Sequence, residues 1–177
     1  MQVRLLVPGL KAVNREWMKN LSSSLDSSWL SIEYPWWNND EAEINIEPVI
    51  DAMTEANPDI VIAKSIGTLF TSIALNRGLI SPKYIVFLGV PKKAISEEEY
   101  GEILTAIGDE DSSFLIIQQT NDFLGSFAEI CESVKVESLD LFEINGSDHL
   151  YDDFIKISEK INNWGDVQVN NHRQSTR

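Results

Sequence analysis

The sequence predicts an α/β fold in three layers, α/β/α, around a mainly parallel sheet of about six strands. Three observations predict it. Short runs of Val, Ile and Leu recur along the chain, each followed by a longer segment with helical spacing, which is the alternation of repeated β-α units. The runs are near-continuously apolar, as strands covered by helices on both faces require. The segments between them carry residues suited to starting and stopping helices.

The strands are expected at Val3 to Val7, Trp29 to Tyr34, Ile60 to Ala63, Tyr84 to Leu88, Phe114 to Gln118 and Leu139 to Ile144. Only the last departs from continuous apolarity. Asn14 is placed to cap a first helix that carries Trp17, Met18, Leu21 and Leu25 on one face and ends near Asp26. Pro48 suits the first turn of a second helix, with Val49, Ile50 and Met53 inward and Asn57-Pro58 closing it. The third spans Ser65 to Asn76 and stops at Gly78. Ser96 and Glu99 have the spacing of a capping box ahead of Ile103, Leu104 and Ile107. Phe127, Ile130 and Val134 mark a fifth helix, and Asp148 is expected to cap a sixth bearing Phe154, Ile157 and Ile161. Residues 165–177 are polar and aperiodic, so the expected division is a folded domain over 1–164 and a flexible polar tail.

Composition narrows the function. Fourteen Lys and Arg against 28 Asp and Glu leave a net charge of −14, a field that repels phosphate backbones and anionic lipid headgroups. Nucleic acid and membrane are therefore not expected as partners. No apolar run has the length of a membrane helix, and the first residues lead straight into a strand rather than a signal peptide. A cytoplasmic protein is expected. The single cysteine, Cys131, has no Cys or His at metal-ligand spacing, and neither a metal nor a cofactor is expected. The oligomeric state is left open.

Reactive groups in open parallel sheets gather at the carboxyl ends of the strands. The third strand ends in Ala63-Lys64-Ser65-Ile66-Gly67 and passes at once into a helix. Such a tight strand-to-helix turn projects the serine hydroxyl outward and needs small residues two positions before and after it, here Ala63 and Gly67. The same string also fits a serine that caps the helix. A nucleophilic serine needs a base, and the base needs an orienting carboxylate. Of two histidines, His172 falls in the presumed tail, while His149 directly follows the sixth strand. Asp122 follows the fifth, where it serves equally well as a helix cap.

The order Ser65, Asp122, His149, each just past a different strand, resembles the α/β-hydrolase superfamily over residues 2–163. The resemblance implies a minimal, capless hydrolase fold with strand order 2-1-3-4-5-6. It implies that Ser65 is the nucleophile, His149 the base and Asp122 its orienting acid. It also implies an oxyanion hole from the backbone amides of Ile66 and Leu10. The reaction implied is hydrolysis of a small ester, thioester or amide, with a small-molecule acyl compound as substrate. Pro8-Gly9 stands where many members have His-Gly, and Ala63 where many have Gly. Only GVPKKAI separates Leu88 from Ser96, where larger members insert a lid.

Trp36 and Trp37 follow the second strand and are expected to wall a substrate pocket with Phe123 and Leu150. Core packing or a dimer contact accounts for the tryptophans equally well. The Lys64 side chain is expected to point away from the site and is given no role. A binding or regulatory protein that keeps the scaffold without turnover is the alternative function. A third reading is a doubly wound protein that holds a phosphate at the amides after Ser65.

Overall fold

The computed structural model describes residues 2–25, 28–38, 43–109, 111–134 and 139–175. The apolar runs form β1 (Arg4–Val7), β2 (Leu30–Ser31), β3 (Ile60–Lys64), β4 (Tyr84–Leu88), β5 (Ser113–Gln119) and β6 (Asp140–Ile144). All pairings are parallel, in the order β2-β1-β3-β4-β5-β6. Every residue of β4 is buried. Because successive side chains of a strand point to opposite faces, the sheet must be covered on both. β2 and β6 lie at the edges, and the mixed pattern of β6 reflects its half-exposed position.

Among the described residues, five α-helices connect the strands and a sixth follows β6: α1 (Asn14–Ser24), α2 (Glu47–Ala56), α3 (Ile66–Asn76), α4 (Glu97–Ile107), α5 (Phe127–Ser133) and α6 (Phe154–Ser175). α1 packs against α6, whereas α2 and α4 flank α3. The expected three-layer α/β/α arrangement and strand order are therefore present. Among the described residues, no helix is long and apolar enough to cross a membrane.

Several helix ends follow their chemistry. Ser96 and Glu99 close a full capping box on α4, and Ser126 and Glu129 do the same on α5. Pro48 sits in the first turn of α2, and Asn57 ends that helix in the left-handed region at φ 42°.

Three expectations about helix ends need correction. Val13 occupies the position before α1, and the Asn14 amide reaches back to the Lys11 carbonyl at 2.9 Å. Asp148 lies too far upstream to cap α6. Asp153 accepts from the Lys156 amide at 3.2 Å instead. Regular structure also continues past Trp164, because a nucleated helix gains one hydrogen bond per added residue even where no apolar stripe persists. Trp164 and Gln168 fasten α6 to β6 through Asp140, at 2.6 and 3.1 Å. The side chain of His172 and residues 176–177 lie outside the described residues.

The turn from β3 into α3 depends on Gly67. A Cβ there would stand 2.6 Å from the carbonyl oxygens of both Val7 and Pro8, and backbone atoms cannot rotate aside. Gly67→Ala should therefore push α3 off the end of β1 and cost about 1–3 kcal/mol. Urea denaturation measures this, and unchanged stability would refute the close approach.

Candidate active site

Ser65 lies between the last residue of β3 and the first of α3, with φ 54° and ψ −125°. That conformation costs a non-glycine residue roughly 1–3 kcal/mol, so the surroundings must enforce it. They do so through the Ser65 amide, which donates to the Leu88 carbonyl at 2.9 Å, and through Thr68, whose amide and hydroxyl donate to the Ser65 carbonyl at 2.9 and 2.7 Å. The hydroxyl is left facing the loop after β6.

There it meets His149. Nε2 of the imidazole is 2.8 Å from Ser65 Oγ, and Nδ1 is 2.7 Å from Asp122 Oδ2. An ionised carboxylate only accepts, so Nδ1 carries the proton and Nε2 presents its lone pair to the hydroxyl. The structure thus brings together the three side chains that the sequence placed past β3, β5 and β6.

The support around them was not anticipated. Asp122 is 1% exposed, and a buried carboxylate is stable only when donors surround it. Tyr151 donates to Oδ2 at 2.7 Å, and the Leu124 amide donates to Oδ1 at 2.9 Å. Burial first, then the Asp122 charge, pushes the Tyr151 phenol far above its ordinary pKa, so it remains a donor. The Tyr151 oxygen in turn accepts from the Gln119 amide at 2.9 Å, and the Tyr151 carbonyl accepts from the Trp17 indole at 2.9 Å.

Gln119 grips the histidine loop from β5. Its Oε1 accepts from the His149 amide at 2.9 Å, and its Nε2 donates to Asp148 at 2.9 Å. Asp148 also accepts from the Leu150 amide at 3.0 Å, and these hydrogen bonds hold its carboxyl below the usual range. His149 and Tyr151 both have positive φ, 61° and 56°, so the chain doubles back and aims both side chains at Asp122. Gly89 (φ 65°) leaves room for them, since a Cβ there would strike the Tyr151 ring. Two adjacent glutamines ending an otherwise apolar strand were the sequence signal for this support.

Ser65 and His149 open onto a cavity of about 380 Å³. Phe123, Leu150, Leu10 and Ile66 are among the residues that line it. Among the described residues, neither the Leu10 nor the Ile66 amide has a hydrogen-bond acceptor in the protein.

Trp36 and Trp37 correct the expectation of a tryptophan-walled pocket, for neither lines this cavity. Both are buried, and a buried indole N–H needs an acceptor. Both find the same one: the Leu10 carbonyl, at 3.1 Å from Trp36 and 2.7 Å from Trp37. Tyr34 donates to the Pro8 carbonyl at 2.6 Å. The aromatic segment after β2 thus braces the Pro8-Gly9-Leu10 loop from beneath.

Lys64 is also corrected. Its side chain lines the cavity, with Nζ 3.1 Å from Asn14 Oδ1 and 4.9 Å from the centre of the Trp17 ring. Burial lowers its pKa to about 8, against the opposing pull of Asp152, Asp148 and Asp122. Among the described residues, no three His, Cys, Asp or Glu side chains are grouped to hold a metal ion.

No family model matches the chain, and no curated protein matches it in sequence. Solved structures do match its fold. An esterase domain from a Rhodothermus marinus protein superposes with a TM-score of 0.67 at 12% identity, over 92% of this chain and 85% of that one. A YdeN-like hydrolase from Pectobacterium atrosepticum gives 0.61 at 18% identity, over 85% and 80%. The RedJ thioesterase of prodiginine biosynthesis in Streptomyces coelicolor gives 0.50 at 12%, over 85% and 78%. The chain has an α/β-hydrolase-like fold.

The lowered pKa of Lys64 has a measurable consequence. Below about pH 8 the ammonium is charged in the folded protein and its desolvation cost is present in full. Between about 8 and the ordinary 10.5, the folded protein releases this proton before the unfolded chain does, so stability rises with pH. Lys64→Met should be more stable than wild type at pH 7, with the difference narrowing from pH 8 to 10.5. Denaturant titrations across this range test it, and a difference independent of pH would contradict it.

Proposed function

We propose that the protein is a serine hydrolase that cleaves an ester, thioester or amide through an acyl-enzyme on Ser65. The observation that carries this reading is the unbroken chain from Ser65 Oγ through both imidazole nitrogens to Asp122, at 2.8 and 2.7 Å. The esterase and thioesterase among the solved structures of the same fold support it.

In the proposed reaction, Ser65 Oγ attacks the acyl carbonyl carbon while His149 Nε2 takes its proton. Asp122 stabilises the imidazolium and fixes its tautomer without itself becoming protonated. The carbonyl oxygen becomes an oxyanion held by the free amides of Leu10 and Ile66, and losing one such donor commonly costs about 3 kcal/mol. Collapse of this intermediate expels the alcohol, thiol or amine, which takes its proton from His149. Water then attacks the acyl-serine, with His149 again the base. The acid leaves, and Ser65 regains its proton.

The 3₁₀ turn Pro35–Asn38 acts in this scheme through the loop it braces. The two indoles hold the Leu10 carbonyl beneath the loop and so limit rotation of the segment that carries the Leu10 amide. The net charge of −14 disfavours nucleic acid as a partner.

Aryl acetate hydrolysis tests the proposal. His149→Ala should lower kcat/KM by several orders of magnitude, and Ser65→Ala should abolish turnover. Well-folded wild-type protein without esterase, thioesterase or amidase activity would overturn the reading in favour of a binding protein on the same scaffold.

A further inference from the structure

A second apolar cavity, also about 380 Å³, adjoins the one at Ser65. It runs over α3 and is lined by Ile44, Ile46, Leu69, Phe70, Ile73 and Ile95. The two cavities share Leu10, Ile66 and Ala94 in their walls. Among the described residues, the amides of Leu10 and Ile66 have no acceptor. A carbonyl oxygen held by these amides would therefore lie where the cavities meet.

The chemistry of the two cavities differs. The first has a polar side formed by Lys11, Asn14, Lys64 and Asp148. The second has one charged residue in its wall, Glu99, whose carboxylate accepts from the Ser96 amide and hydroxyl at 2.7 and 2.9 Å. Among the described residues, no Lys or Arg lines the second cavity, so nothing there recognises an anion. Ile44 and Leu10, 57% and 37% exposed, leave the rim of this apolar groove open.

We propose that this groove holds the acyl chain of the substrate, so that the enzyme acts on long, unbranched acyl groups. The polar side of the first cavity takes the leaving group. The inference rests on the hydrolase reading of Ser65 and adds to it the class and the direction of the substrate. The occupant is assigned from continuity: an acyl chain attached to a carbonyl at the junction can enter the groove without crossing a polar surface.

Aryl esters from acetate through butyrate and octanoate to decanoate, kept below their micelle concentrations, test it. Fully burying one methylene is worth about 0.8 kcal/mol, or about fourfold in affinity, and a half-open groove yields about half that energy, or about twofold. The ratio of kcat/KM for decanoate over acetate should rise accordingly, mainly through KM. Ile73→Trp, which fills the groove, and Ile44→Glu, which charges its exposed rim, should both lower this ratio. The loop position of Ile44 keeps the second variant informative if the first fails to fold.

Binding to Ser65→Ala tests the groove without turnover: decanoate should bind more tightly than butyrate by calorimetry. A flat ladder with measurable acetate hydrolysis would overturn the groove assignment and leave the hydrolase reading standing. Chain-length-dependent binding without hydrolysis of any ester, thioester or amide would do the reverse. A flat ladder in a dimer that Ile44→Glu dissociates would assign the face to self-association and overturn the proposal.

Discussion

The buried carboxylate of Asp122 is the constraint around which the site is organised. At 1% exposure it cannot be solvated by water, so the protein must supply donors. The His149 ring, the Tyr151 phenol and the Leu124 amide do so, at 2.7, 2.7 and 2.9 Å. Hydrogen bonds to a charged group contribute about 1.5–3 kcal/mol each, enough to offset the two left-handed residues that deliver His149 and Tyr151. The loop after β6 is thus shaped by the charge it has to satisfy. With the ring held at Nδ1, its other nitrogen has one orientation, and Ser65 lies in it.

A second set of buried polar groups acts on the opposite side of the cavity. Tyr34, Trp36 and Trp37 are packed in the core, yet each has a donor that must be satisfied. All of these donors point to carbonyls of the Pro8-Gly9-Leu10 loop. Gly67 brings α3 against the same loop from the other direction. The segment carrying the Leu10 amide is therefore held by both the core and the serine turn.

Much of the fold was legible because β4 and the middles of β3 and β5 are continuously apolar and the capping box at Ser96 is local chemistry. The placement of Ser65, Asp122 and His149 at one sheet edge was legible for the same reason: each follows a recognisable strand. What could not be read depended on partners distant along the chain. Tyr151 looks like ordinary packing until the backbone turns left-handed at a histidine and a tyrosine, with no glycine to announce it. Trp36 and Trp37 resemble pocket walls in sequence, and only the Leu10 carbonyl beneath them shows which way the indoles face. Lys64 was expected to point away from the site because it neighbours the serine in the turn, but Asn14 and Trp17 hold its ammonium and the residue lines the cavity. Asp148 has the composition of a helix cap, yet Gln119, 29 residues earlier, claims its carboxylate.

The central claim is that Ser65 is made nucleophilic by its place in this network. The most direct measurement is covalent labelling by a fluorophosphonate, with the modified residue located by peptide mass spectrometry. The account predicts one phosphonyl group per chain, on Ser65, and its loss in a folded His149→Ala variant. An unlabelled wild-type protein, or a label on any other residue, would contradict it.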